Sequence, residues 1–431
     1  MKFRDIAALG FLTFAMYLGA GNLIFPPFLG YQAGDAFWPA MAGFLLTGVG
    51  LPAFALVMVA LCRGSENLTA HLPNWFAKSF WVLLFIVIGP AFVIPRAITV
   101  AYEFTLAPAG DDALLLPFTL GFCLLSAWFC FHPGRLIDRV GKLLTPMLLI
   151  LLGVLAALAL GQTPEIGVAT GAYATRPFAE GLTQGYMTMD ALGSIGFGWV
   201  IFAAIRGFGV NCPKLTSRYT LLAALMYGFA MALVYLALAW LGRGAVGEFA
   251  NGGAILTSFT SAHLGTAGSL ILALVMLLAC LTTVIGVTSA GSEFYEKSFR
   301  QVRYRQAVGV SLLVSALVAN LGLDTLLTIT LPVVVALHPL AIALLLIAPL
   351  RRRLSRLAQG LVLATASGFG LIDAGHILGL FGDKALKLLA HLPLFDSFAS
   401  WLLPTLAMLG LSVLIARLRA NRQKTKAVAA A

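Results

Sequence analysis

Charge is what this sequence has least of. Only 10% of its 431 residues are Asp, Glu, Lys or Arg, where a water-soluble domain carries about 25%. With 60% hydrophobic residues and a mean hydropathy of +0.95, a soluble globular protein is excluded. Acidic residues are scarcer than basic ones, 17 against 28. The basic residues lie in short loops and at the two ends of the chain, so the net charge of +11 does not imply nucleic acid. The five cysteines (Cys62, Cys123, Cys130, Cys212, Cys280) fall in or near apolar runs without metal-ligand spacing, and read as packing residues. No nucleophile with a plausible base, metal-ligand cluster or phosphate loop is present, so no enzyme is expected. No cleaved leader is expected either, because Met1-Lys2-Phe3-Arg4-Asp5 runs straight into an apolar segment with small residues suited to a helix interior.

What the chain has instead is a series of apolar runs near the length that crosses a bilayer as a helix. Alternating ten-residue strands, the mark of a membrane barrel, are missing. The expected fold class is therefore an all-α polytopic membrane protein. Twelve spans are expected near 6–29, 38–62, 78–107, 114–132, 140–161, 183–207, 215–242, 264–295, 305–321, 325–349, 357–381 and 398–418. With the N-terminus inside, 23 of the 28 basic residues fall on the inner side, four fall outside and Arg96 lies within a span. Inner loops carry the excess of Lys and Arg, so both termini are expected in the cytoplasm. The tail from Lys424 to Ala431 reads as disordered.

Two stretches interrupt these runs. Gly19-Ala20-Gly21-Asn22 sits in the middle of the first span and Gly193-Ser194-Ile195-Gly196-Phe197-Gly198 in the middle of the sixth. A glycine inside a helix costs about 1 kcal/mol relative to alanine. Irregular backbone at membrane depth survives only against protein or around a polar cavity. One reading is small-residue helix packing. The other is a pair of broken helices that binds something, and paired interruptions at corresponding places in two halves favour it. Spans one and six are five apart and run in opposite directions. This points to inverted five-helix repeats over 1–162 and 163–350, followed by two further helices and a tail over 351–431.

The stretch Asp5 to Pro27, with its Phe25-Pro26-Pro27 exit, resembles the start of the bacterial branched-chain amino acid:cation symporters. The resemblance extends through Thr188-Met189-Asp190, Asn251-Gly252-Gly253-Ala254-Ile255-Leu256 and Leu331-Pro332-Val333. It implies an inner-membrane, Na⁺-coupled importer of leucine, isoleucine and valine with the inverted-repeat fold of the sodium-dependent leucine transporter. Ala279-Cys280-Leu281-Thr282-Thr283 is similar to the span 8 segment that holds a sodium ion there.

Carried over residue by residue, the resemblance puts Na⁺ on the Thr282 and Thr283 hydroxyls with the Ala279, Ala15 and Leu18 carbonyls. Those are the hard oxygen donors that such a cation takes. The competing reading is that a membrane threonine bonds a carbonyl one turn back. A substrate carboxylate suits the free amides of a half-helix start, at Gly19, Ala20 and Gly21. Ser194 and its neighbours, including Gly196, would take the ammonium. Phe197 would wall the aliphatic side chain, although packing is the fate of most of the 30 phenylalanines. Tyr102 is a further substrate neighbour by its place in span 3. Asn22 either ligates an ion or caps the second half-helix. Leu192 stands where the leucine transporter has a threonine ligand for an additional sodium, which favours one ion. Phe25 replaces its outer-gate arginine. The partners implied are the small-molecule substrate and the lipid bilayer, without nucleic acid or an obligate protein partner.

Charges within spans are costly, and usually paired or functional. Arg96 and Glu103 are two turns apart and read as a structural pair, with Pro95 bending the helix locally. Asp190 would attract a cation, cap or pair; Asp373 falls outside the repeats. His338-Pro339 reads as a kink. The alternatives are the same fold carrying another small neutral amino acid or coupled to protons through Asp190, and, more distantly, a channel or an intramembrane enzyme.

Overall fold

The structure is a computed structural model. It describes residues 3–106, 112–131, 145–161, 166–210 and 212–430. Arg135, Arg139 and Lys142, with the whole junction between expected spans 4 and 5, lie outside the described residues.

Among the described residues every regular element is helical. The elements that position the site are α1 (Phe3–Tyr17), α2 (Ala20–Ala33), α3 (Phe37–Leu45), α4 (Leu51–Leu61), α5 (Asn74–Ile86), α6 (Val93–Thr105), α7 (Leu115–Cys130), α8 (Thr145–Leu160), α9 (Pro177–Met187), α10 (Asp190–Gly207), α11 (Pro213–Arg243) and α12 (Gly252–Ser298). Then follow α13 (Tyr304–Ala319), α14 (Leu323–Ile347), α15 (Arg356–Ile377), α16 (Asp383–Leu389) and α17 (Leu402–Ala430). Among the described residues seven helices are long and apolar enough to cross a membrane, eight if one bent pair is a single span. Leu115–Cys130 and Tyr304–Ala319 are apolar but shorter. The expected twelve are not reached partly because Gly21–Leu61 runs as one stretch of 41 residues, while α1, cut off by the interruption at Leu18 and Gly19, has 15.

Three expectations change. The interruption before α6 lies at Gly89 (φ −102°, ψ −117°) and Pro90. Pro95 sits in the first turn of α6, where a proline is tolerated. Helix α12 begins twelve residues before its expected start, because the Asn251 side chain caps it by accepting from the Ala254 N–H at 3.0 Å. A kink at Gly265 (φ 58°) then turns it. Helix α17 continues to Ala430 through an alanine-rich run of strong helix formers, where disorder was expected. Helix α14 runs on through Pro332 and Pro339.

Two helix pairs pack in the same manner. Helix α2 lies on α11, and α9 lies on α3. Both contacts are backbone-close. A Cβ on Gly30 would meet the Ala239 carbonyl oxygen at 1.8 Å, and one on Gly181 would meet the Ala40 oxygen at 1.9 Å. With lipid as apolar as leucine, membrane helices gain from such close approach. Glycines at these positions serve proximity: α2 is thereby fixed to the 31-residue α11, and α9 to α3.

Candidate functional site

Helix α1 ends at Tyr17 and α2 starts at Ala20, leaving Leu18 and Gly19 outside either helix. Gly19 is extended (φ −111°, ψ −171°), a conformation open to any residue. Its glycine is demanded by contact instead: a Cβ there would lie 2.8 Å from Thr283 Oγ1 on α12. The expected break in span 1 is thus present. The break in span 6 is displaced. The backbone leaves the helix at Thr188 and Met189, with Met189 in the left-handed region at φ 61°. For a non-glycine this is a strained conformation of the kind held at functional sites.

The run Gly193–Gly198 stays helical within α10. It bends the span rather than opening it, by 44° between Pro177–Gly196 and Val200–Gly207. Its glycines admit neighbours. A Cβ on Gly198 would meet Val59 Cγ1 at 2.6 Å, and one on Gly196 would meet Ile88 Cδ1 at 3.1 Å. The packing reading therefore accounts for these two glycines.

Side chains tie the two breaks together. Asn22 Oδ1 accepts from the Gly19 N–H at 3.4 Å, which is the capping role. Asn22 Nδ2 reaches Asp190 Oδ2 at 2.6 Å and also contacts the Tyr235 hydroxyl. Tyr235 donates to the same Asp190 oxygen at 2.9 Å. The Tyr17 hydroxyl donates to Ser194 Oγ at 2.8 Å, and Ser194 donates to the Asp190 carbonyl at 2.9 Å. Asp190 opens α10, where a carboxylate faces the positive end of the helix dipole. Arg96 turns to the carbonyls that end α9, donating to Met187 O at 2.7 Å and Thr188 O at 3.3 Å. Its guanidinium also lies 5.7 Å from the centre of the Phe25 ring. The spacing to Glu103 indicated none of this.

These elements enclose a cavity lined by Gly19, Gly21, Asn22, Arg96, Asp190 and Thr283 among others. It is tight, about 30 Å³, room for one or two waters. A leucine-sized guest therefore requires the helices to part. A second cavity of about 410 Å³ is lined by Phe85, Gly196 and Ala290, each three residues along the chain from a residue of the central cavity, Ile88, Gly193 and Val287. It reaches Lys78 and Lys297 and shares Ser65, Glu66 and Lys297 with a third space lined by Arg63, Arg206 and Glu293. From one turn beyond the central cavity, a stepped series of spaces thus leads toward the basic residues Lys78, Lys297, Arg63 and Arg206.

Of the expected site residues, Gly19, Gly21 and Thr283 line the central cavity and Gly196 lines the second one. Ser194 is fully buried in the hydrogen-bond network. Tyr102 is buried with its ring 5.5 Å from that of Phe118, and is not among the lining residues. Thr282 Oγ1 donates to the Ala279 carbonyl at 2.9 Å, the one-turn-back bond. Its neighbour differs: Thr283 Oγ1 is buried and has no hydrogen-bond partner. Leu18 is buried at the break. The side chains of Ala15, Ala20 and Phe197 lie outside the described residues; the roles given to Ala15 and Ala20 rest on backbone atoms. Sequence reasoning missed Arg96, Tyr17 and Tyr235 as members of the site. The one usable signal was that Arg96 is a lone arginine at membrane depth.

Half-helices that end face to face around a buried polar cavity define the class, a membrane transporter of the broken-helix kind. The fold matches that of the Eremococcus coleocola manganese transporter in complex with an aromatic bis-isothiourea substituted compound, with a TM-score of 0.59 and 15% identity over 97% of this chain and 95% of that one. It also matches Mhp1, a nucleobase-cation-symport-1 family transporter, with a TM-score of 0.54 and 16% identity over 97% and 93%. At such identities these likenesses concern the fold alone. Sequence narrows the class: residues 2–419 match the family described as branched-chain amino acid transport protein, and the chain belongs to it. It is 41% identical to the branched-chain amino acid transport system 2 carrier protein of Pseudomonas aeruginosa, over 97% of each chain. It is 38% identical to the branched-chain amino acid permease BrnQ of Escherichia coli, over 99% of this chain and 98% of that one. The permease BraB of Bacillus subtilis is 34% identical over 93% of each. These are transport proteins, not enzymes.

Proposed function

We propose that the protein is a secondary active transporter that imports leucine, isoleucine and valine across the bacterial inner membrane by Na⁺ symport with alternating access. The observation that carries this reading is the unpartnered Thr283 hydroxyl facing the break at Gly19, in one cavity with the start of α2. A buried hydroxyl without a partner is costly, and an oxygen ligand for a hard cation gives it a use. Thr282 Oγ1, whose proton goes to Ala279, keeps lone pairs for the same ion, with the Ala279, Ala15 and Leu18 carbonyls nearby in sequence or on the facing break. The amides of Ala20 and Gly21 suit a carboxylate, with the Gly19 amide, held by Asn22 Oδ1, beside them. The family resemblance gives the ammonium to Ser194 and Gly196 and the aliphatic side chain to Phe197, with Tyr102 as a further substrate neighbour. The family membership supports the substrate class.

Coupling follows from a shared backbone. The ion holds the same break whose amides read the substrate, so each ligand favours the geometry that the other binds. The stepped series of spaces toward the basic residues is the inner access route, and its closure with opening on the other side completes the cycle.

Labelled leucine uptake into proteoliposomes tests the reading. An inward Na⁺ gradient is expected to drive accumulation that unlabelled isoleucine and valine suppress. A flat response to Na⁺ with uptake driven by an inward proton gradient would replace the ion. That second reading has one observation behind it, the Asp190 carboxylate on the cavity wall.

Orientation has its own test. Cys212, before α11, is the exposed cysteine of the five. The Leu215 and Lys214 backbone amides hold its thiol below the usual range. More of it is thiolate at neutral pH, so it labels faster than an ordinary exposed thiol. A membrane-impermeant maleimide is expected to label it in inverted vesicles and not in right-side-out ones. The opposite pattern would reverse the topology.

A further inference from the structure

Arg96 is 3% exposed, carries a full charge, and lines the central cavity. Among the described residues no ion pair engages it. The Asp190 carboxylate acts on it only at a distance; a buried arginine in contact with no carboxylate is expensive, and at membrane depth such groups are seldom idle. Its bonds to Met187 O and Thr188 O quiet the negative end of α9 but use only two of its five N–H donors. On its other side it meets α2. A Cβ on Gly21 would lie 3.0 Å from Arg96 Nη2, so the guanidinium and the positive end of α2 converge on one spot. Two sources of positive potential therefore point at the same corner of the cavity. The carboxylate of Asp190 stands on another helix of that cavity, fixed by Asn22 and Tyr235.

From this geometry we infer that Arg96 binds the α-carboxylate of the transported amino acid together with the α2 amides, and that Asp190 faces its α-ammonium. The inference rests on the amino-acid reading above and deepens it. It explains why a cavity destined for an apolar side chain keeps two opposite buried charges. They form a site for a zwitterion, which cancels both charges when it binds. The guanidinium fork matches a carboxylate in two parallel bonds. It also assigns specificity: the pair rejects amines without a carboxylate and acids without an ammonium, because each leaves one buried charge unmatched.

The test is a ligand titration on purified full-length protein, read by thermal shift in a saturating Na⁺ buffer. The ligands are leucine, leucinamide and 4-methylpentanoate. The wild-type protein is expected to prefer leucine over either analogue by about 100-fold, as charge-assisted bonds allow. In Arg96→Gln the preference over leucinamide should shrink to below about 5-fold while the weak affinity for leucinamide itself barely moves. In Asp190→Asn the preference over 4-methylpentanoate should shrink in the same way. A purely structural Arg96 would weaken leucine and leucinamide alike, and that result overturns the inference, as does an unchanged preference. If Arg96→Gln does not fold, Arg96→Lys decides. It keeps the charge and loses the fork, so a lower leucine-to-leucinamide ratio supports the inference and an unaltered ratio overturns it. Wild-type protein that binds no branched-chain amino acid would sink the functional reading itself, an outcome separate from a failure at Arg96 alone.

Discussion

Replacing Thr283 by valine is expected to abolish Na⁺-driven leucine uptake while leaving the protein as stable as before, or more so. The two side chains have nearly the same shape, so packing on α12 is retained. What is lost is one oxygen, and Thr283 Oγ1 has no hydrogen bond to lose. An unsatisfied buried hydroxyl costs about 1–3 kcal/mol, so its removal is expected to raise stability by about 1 kcal/mol. If that oxygen ligates the ion, Na⁺ affinity should fall by at least about 10- to 100-fold, the range found even for partners one shell further out. Thr282→Val is the contrast. Its hydroxyl is bonded to Ala279 O, so the change costs about 1 kcal/mol of stability as well as any ligand role. The measurement is the Na⁺ concentration dependence of uptake alongside a thermal melt. Activity down with stability level or up identifies a ligand. Unchanged Na⁺ dependence in both variants would place the ion elsewhere and remove the observation on which the symport reading rests.

The two breaks show what can be seen in a sequence of this kind. Gly19-Ala20-Gly21-Asn22 stands out because two glycines and an asparagine at the centre of an apolar run oppose a helix locally, and local opposition is visible. The opening at Thr188–Met189 is held by tertiary contacts. Arg96, far away in the chain, takes the Met187 and Thr188 carbonyls, and Asp190 is locked by Tyr235 and Asn22. Threonine and methionine carry no signal for that. The conspicuous glycines of Gly193–Gly198 drew attention to the right span, but two of them meet Val59 and Ile88 instead. Arg96 was visible as a costly charge and misassigned in partner, because helical periodicity relates it to Glu103 while the fold turns it toward another helix. Thr283 and Thr282 are adjacent and alike in sequence, and only packing separates the unpartnered hydroxyl from the satisfied one.

Gly30→Ala is expected to prevent accumulation of folded protein, although alanine is ordinarily the better helix former by about 1 kcal/mol. The added methyl would lie 1.8 Å from the Ala239 carbonyl oxygen and 3.0 Å from the Arg243 nitrogen. Both are backbone atoms of α11 and cannot swing aside. The contact is reciprocal, since a Cβ on Gly242 would lie 1.8 Å from the Pro27 oxygen. Relief therefore needs α2 and α11 to separate along their whole interface, which carries one wall of the site. Overpacking at a flexible side chain costs about 1–3 kcal/mol; a backbone overlap of this depth belongs with the exceptional losses above about 4 kcal/mol. Gly228→Ala on α11 is the control, because its nearest neighbours are 3.7 Å away, an ordinary contact. Fluorescence-detected size exclusion of tagged variants reads the outcome: Gly228→Ala should elute as the wild type does, and Gly30→Ala should be lost or aggregated. A monodisperse, transport-competent Gly30→Ala protein would mean that α2 and α11 are further apart than described. It would also remove the reason to treat them as one body when the cavity opens, since a half-helix locked to a long helix by backbone contact can only move with it.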